Sequence, residues 1–341
     1  MPQYVQCRCA EYIFSIKKEV TLKILIIRLS SIGDIVLTTP VIRCVKEQAA
    51  DAELHFLTKS SFAGVLKNNP YVDKLHLHDG DLSKTVSMLE EENFNYIIDL
   101  HHNLRSLKLK LRLAVKSSSF NKLNIQKWLL VNFKVNTLPD LHIVDRYLKT
   151  AEKLGVQNDG KGLDYFLEKE YDLSQMLPPS HQNYVGFVIG GAHATKRLPQ
   201  EKIVEACQLI RKPVVLLGGK EDKQGGEQIA DQAGDHVFNA CGSFNLDESA
   251  YLVKMAEKII THDTGLMHIA AAFNKPIISV WGNTVPEFGM YPYKVEWHRC
   301  MEVKGLGCRP CSKIGYPKCP LKHFRCMNEI NTERIAELAN S

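Results

Sequence analysis

"RLSSIGDIVLTTP" (28–40) follows the apolar run "LKILII" (22–27) and leads into a segment with helical spacing. Strand, tight turn and helix in that order open a doubly wound α/β unit. The turn after the first strand of such a unit usually holds phosphate. This one carries a single glycine, Gly33, and beside it a carboxylate, Asp34. It lacks the glycines of a phosphate loop and has the wrong charge for one. The stretch therefore sets the fold class and asks for a different use of Asp34.

Outward from that turn, short apolar runs alternate with helical patterns. Strands are expected at 22–28, 53–57, 74–77 and 95–100, and helices at about 35–48, 61–67 and 82–92. "LKLKLRL" (107–113) alternates as a strand does. It also follows Asn103, a good helix N-cap, and Leu104, Leu107, Leu111 and Ala114 form a helical stripe. The helix is the preferred reading. "EKEYDLSQMLPPSHQN" (168–183) is polar with two adjacent prolines and reads as a linker.

The alternation then restarts. Strands are expected at 184–189, 213–217, 258–262 and 276–281, and helices at 199–210, 223–233, 246–255 and 265–273. Two successive α/β units follow, 22–167 and 184–290, each with a parallel sheet covered by helices on both faces. Residues 291–341 read as a Cys-rich tail with a final helix near 331–340. Residues 1–21 are no convincing signal peptide, because the apolar stretch is short and Glu11 and Lys17 interrupt or bound it. They are read as a leader ahead of the fold, with disorder one expectation.

The chain has 341 residues and a formal charge of +5. The length fits about two domains of roughly 150 residues. No apolar run approaches the roughly 20 residues of a membrane span. A cytoplasmic location with reduced cysteines is expected. Charge is unevenly spread: between Asp99 and Asp140 every charged side chain is basic. Such a stretch is either a solvated helical face or a surface for phosphates, anionic lipid or nucleic acid. It lacks regularly interleaved aromatics, which argues against nucleic acid.

No GxxxxGK[ST] and no GxGxxG occurs. The better anion site is "IITHDTGLMHIAAAFNKP" (259–276), where a strand ends, Asp263, Thr264 and Gly265 turn, and a small-residue helix begins. The free amides of Thr264, Gly265 and Leu266 would point outward at the positive end of that helix. Asp263 or Thr264 as a simple cap is the structural alternative. "GGAHATKRLP" (190–199) brings Thr195 and Lys196 to the same sheet edge, and "LLGGKED" (216–222) brings Glu221, suited to ribose hydroxyls. In the tail, Cys308-x-x-Cys311 has zinc-ligand spacing, with Cys319 and Cys326 within reach. A structural zinc and a metal-free clamp are both open there. Asp79-Gly80-Asp81 resembles a metal-binding Asp-x-Asp, but reads better as a turn and helix cap.

"RLSSIGDIVLTTP", "DLHHNLRS", "GGAHATKRLP", "LLGGKED", "DTGLMHIAAA" and "VWGNTVP", in that order, resemble glycosyltransferase family 9, the ADP-heptose:lipopolysaccharide heptosyltransferases. The resemblance covers about 22–290 and runs on into the tail. It implies a GT-B architecture of two facing Rossmann-like domains, acceptor on the first and nucleotide sugar on the second. It implies an inverting, metal-independent transfer with Asp34 as catalytic base and no cofactor beyond the donor, ADP-heptose.

Donor contacts implied are Thr195 and Lys196 on the diphosphate and Asp263, Thr264 and Gly265 in the donor loop. Glu221 joins the donor set from its place at the sheet edge, suited to the ribose, and His268, one helical turn beyond the loop, either faces the site or simply packs. Gly33 and Arg105 fall on the acceptor side. The implied partner is a lipid-anchored sugar at the inner face of the membrane, with no nucleic acid. Val285 departs from the family, which often has a polar residue there.

Overall fold

The computed structural model describes residues 22–49 and 51–341. The expected leader, 1–21, lies outside the described residues. The first unit runs β1 (Lys23–Ile27), α1 (Ile32–Val36), α2 (Thr39–Gln48), β2 (Glu53–Lys59), β3 (Lys74–His78), α3 (Leu82–Glu90), β4 (Tyr96–Asp99), α4 (Leu104–Leu113), β5 (Ser117–Ser119), α5 (Asn124–Phe133) and α6 (Ile143–Leu148). Its sheet has the order β3-β2-β1-β4-β5, all parallel. Central β1 has Ile24 to Ile27 fully buried. Helices cover both of its faces, which is why the run is continuously apolar rather than alternating.

After α7 (Leu173–Met176) the second unit begins. It runs β6 (Val185–Val188), α8 (Gln200–Leu209), β7 (Val214–Leu217), α9 (Lys223–Ala233), β8 (Val237–Asn239), α10 (Leu246–Met255), β9 (Lys258–His262), α11 (Gly265–Ala272), β10 (Ile277–Trp281), β11 (His298–Glu302), α12 (Arg325–Asn328) and α13 (Thr332–Asn340). The sheet order is β11-β10-β9-β6-β7-β8, again parallel.

The differences from expectation have local causes. The helix expected over 35–48 is two helices, because Pro40 has no N–H to continue the first. Thr38 and Thr39 donate their hydroxyls to the carbonyls of Ile35 and Val36 at the break. The helix expected at 61–67 is a 3-10 turn, Ser60–Val65. The linker 168–183 contains α7, capped by Asp172. Strands β5, β8 and β11 went unread because they are short or polar. Helix α4 is confirmed with Asn103 as its cap, but its leucine stripe points to solvent.

The tail is integral to the second unit. β11 extends its sheet, α13 packs on α8, and Met327 and Ile335 are fully buried in its core. The two units also share a core: Val144 and Tyr147 of the first lie in one apolar cluster with Leu252 and Ile269 of the second. Val285 is buried against Leu130 of α5 and Phe288. An apolar residue at 285 thus has a packing role between the units.

Candidate active site

The turn after β1 and the turn after β9 meet. α1 packs against the start of α11, and two glycines make that possible. A Cβ on Gly33 would sit 2.7 Å from Cδ2 of His268 and 3.3 Å from Cα of Gly265. A Cβ on Gly265 would meet Ile32 at 2.8 Å and the backbone nitrogen of Gly33 at 3.3 Å. Gly33, expected on the acceptor side, is buried in this contact. Its observed role is to let the two backbones approach.

Asp34 sits in the first turn of α1, about one-fifth exposed. Arg28, at the end of β1, reaches its Oδ1 at 2.6 Å. Ser31 donates its hydroxyl (2.8 Å) and its backbone N–H (3.2 Å) to Oδ2. Burial opposes ionisation here, but Arg28 and the Ser31 hydrogen bonds outweigh it, holding the carboxyl below its ordinary value. Asp34 is therefore a carboxylate at neutral pH, ready to accept a proton. Arg28 itself is buried and also donates to the carbonyls of Ser30 and Leu100 and to the hydroxyl of Tyr147. Sequence reading missed Arg28. The signal was available: an arginine placed at the end of a fully apolar strand needs an acidic partner.

Across the contact, Lys196 Nζ lies 2.5 Å from Oδ2 of Asp263, and Thr284 donates to the same oxygen at 3.2 Å. Thr264 is the N-cap residue of α11, and its side chain makes no cap bond. The first amides of α11 therefore have no side-chain cap from it. His268 follows one turn later, buried, with no partner for Nδ1. Burial lowers its imidazole to about 4, despite the nearby carboxylates of Asp263 and Asp34. Its ring is neutral and lies within the field of both carboxylates, one from each unit.

Thr195, expected on the diphosphate, is buried. Its hydroxyl donates to the carbonyl of Tyr316 (3.1 Å) and accepts from that residue's N–H (2.8 Å). It ties the loop after β6 to the tail. Glu221 is exposed on the turn after β7, at the sheet's carboxyl edge as expected. Its neighbour Asp222 is the buried one, bonded to Arg197 and to the N–H of Gly219. Arg105 is exposed on the first turn of α4.

Three further groups surround Asp34 that sequence reading did not single out. His101 has an unpartnered Nδ1, and burial with the Arg28 and Lys122 charges brings its ring to about 4. Lys122 is lowered by burial and by Arg28. Lys127 is lowered to about 8, by burial first and then by Arg146 and Lys313, and lies 5.7 Å above the Phe288 ring. The fully buried amide of Asn283, just past β10, has no partner for either side-chain atom.

The described cysteines are free thiols. Among the described residues, the one group whose ligand atoms all lie within 4.8 Å is His55, His76 and Glu92, and Cys308, Cys311, Cys319 and Cys326 make no such group. The His55 and His76 rings are joined by a 2.9 Å hydrogen bond, and Lys23 and Lys74 balance Glu92.

The profile of glycosyltransferase family 9 (heptosyltransferase) matches residues 83–321. Lipopolysaccharide heptosyltransferase 1 of Campylobacter coli is 26% identical over 77% of this chain and 84% of its own length. The solved family 9 glycosyltransferase of Veillonella parvula superposes with a TM-score of 0.75 at 21% identity, covering 94% of this chain and 96% of that one. The ADP-heptose lipopolysaccharide heptosyltransferase II of E. coli gives 0.70 at 22%, covering 93% and 97%. These two structures share the fold, two facing parallel-sheet domains of the GT-B type. The match to the profile spans well over half of the sequence, and the chain belongs to glycosyltransferase family 9, the heptosyltransferase family.

Proposed function

We propose that this glycosyltransferase moves a heptosyl group from ADP-heptose to a sugar of the lipopolysaccharide inner core, inverting the anomeric carbon. The acceptor is lipid-anchored, and the enzyme works on it at the cytoplasmic face of the membrane. Among the described residues no helix is long and apolar enough to cross a membrane. The observation that carries the reading is the meeting of Asp34 with the Asp263–His268 turn through Gly33 and Gly265.

In this reading the acceptor hydroxyl oxygen bonds to the anomeric carbon while the bond from that carbon to the diphosphate oxygen breaks. Asp34 takes the hydroxyl proton. The departing ADP carries the electron pair as an anion, stabilised by Lys196 and by the amides at the start of α11. Asp263, itself accepting from Thr284, holds Lys196 in place until the diphosphate arrives. Glu221 binds the ribose, and Asp263 the donor sugar's hydroxyls. Lys122 and Lys127, with Arg105, receive acidic groups of the acceptor. No step uses a cofactor or a metal.

The test is transfer from ADP-heptose, set against UDP- and GDP-sugars, onto a core acceptor lacking heptose. Heptosylated product with ADP-heptose alone supports the proposal. Turnover only with another nucleotide sugar assigns a different donor, and binding without turnover makes the chain a sugar-nucleotide-binding module.

A further inference from the structure

Helices α4 and α5 are amphipathic in the wrong sense for a protein surface in water. On α4, Leu104, Leu107 and Leu111 fall at i, i+3 and i+7, one stripe, while Ser106 and Leu109 face inward. That stripe is open to solvent: Leu104 is 77% exposed and Leu111 71%. α5 repeats the pattern with Ile125 at 73% and Phe133 at 60%, and Trp128 stands edge-on to the Phe133 ring at 5.2 Å. A surface helix normally turns its apolar stripe to the core. Apolar side chains concentrated on the surface mark a place where something else covers them.

Charge identifies what covers them. Arg105, Lys108 and Arg112 are exposed on α4, and Lys134 ends α5. No acidic residue occurs between Asp99 and Asp140. A second copy meeting this face about a two-fold axis would set these like charges against one another. Nucleic acid would satisfy the charges but not the leucines. An anionic lipid surface satisfies both: headgroups pair with the basic side chains and the acyl boundary takes the apolar ones.

We propose that α4 and α5 form a bilayer-docking face that lies in the interface of an anionic membrane. The proposal rests on the reading above only in naming the membrane that carries the acceptor. It predicts direct binding to lipid, with no acceptor present. α5 also supplies Lys127 and Leu130 to the contact between the units, so docking would set the cleft beside the lipid surface.

The experiment is co-sedimentation of the full chain with vesicles of phosphatidylglycerol and phosphatidylcholine, and with phosphatidylcholine alone. The expected result is binding to the anionic vesicles, weakened by salt. A Leu104→Ser/Leu111→Ser/Ile125→Ser variant of unchanged thermal stability should bind them at least 10-fold more weakly. It should keep wild-type kcat on a deacylated, water-soluble acceptor and lose turnover on the vesicle-borne one. Equal vesicle binding by variant and wild type, or no binding by either, overturns the proposal. So does a wild-type dimer that the three serines convert to monomer without changing vesicle binding. Absence of transfer to the soluble acceptor by wild type counts against the proposed reaction, and leaves the vesicle measurement to decide the docking face.

Discussion

Gly33 and His268 belong to different units, yet the place of a Cβ on Gly33 is 2.7 Å from the imidazole Cδ2. The backbone of one domain thus rests on a buried side chain of the other. Gly33→Ala must push α1 away from α11, and with it Asp34 away from the donor turn. A misplacement of about 1 Å costs roughly 100-fold in turnover. We expect that loss together with the about 1–3 kcal/mol of stability that overpacking a buried contact costs, read by steady-state kinetics and calorimetry. A Gly33→Ala enzyme at wild-type rate would show that the contact does not position the reaction.

Asp34→Asn keeps the side-chain shape and the Ser31 contacts but cannot take a proton. Turnover should fall by about 10²- to 10⁴-fold, the usual worth of a general base. Nucleotide affinity, measured by calorimetric titration, should stay put, because Lys196 and α11 lie on the other unit.

Arg28 sets the acidic end of the pH profile. It holds Asp34 below the ordinary carboxylate range, so the base stays ionised as pH falls until that lowered value is passed. Removing the guanidinium in Arg28→Gln raises the pKa of Asp34. The acid limb of kcat/KM should therefore move to higher pH, with a smaller effect at neutral pH. Stability follows the same sign: the contribution of Asp34 is present above its unfolded pKa and lost as pH falls through the folded one. In Arg28→Gln the folded value moves up toward or past the unfolded one, so this contribution shrinks and the acid-side fall in stability becomes shallower, which acid unfolding followed by circular dichroism would report.

His268 is neutral across the physiological range, since burial brings it to about 4. A His268→Gln variant should run more slowly yet keep the shape of the profile between about pH 6 and 8. A limb that disappears in the variant would show that the imidazole titrates there.

Lys196→Ala removes the charge proposed for the diphosphate and leaves Asp263 without its ion pair. One charge-assisted hydrogen bond is worth about 1.5–3 kcal/mol, or roughly 10- to 100-fold. We expect that factor in kcat/KM for the donor, with kcat falling because the leaving diphosphate loses its cation, and the KM for the acceptor nearly unchanged.

The sequence carried the fold well where burial was symmetrical. β1, β9 and β10 are apolar runs because helices cover both faces of each sheet, and α10 follows its caps residue for residue. It carried less where strands are polar edges, as with "SSS" in β5 or "HRCME" in β11. Lys122 and Lys127 were hidden for another reason. Both sit in a basic stretch, and only folding shows which of its charges turn toward Asp34 and which toward solvent. The bond of Thr195 to Tyr316 spans 121 residues, so no local pattern announces it.

The glycine-to-glycine contact also fixes what evolution can alter. Side chains around the cleft are free to change shape and charge, and so to accept another sugar or another acceptor. The distance of closest approach is different, because Gly33 and Gly265 bring no side chain of their own and the neighbours against them, His268 and Ile32, are already in contact. In the proposed reaction the gap between Asp34 and the donor is thus a mechanical stop, and specificity can drift around it while the reaction coordinate keeps its length.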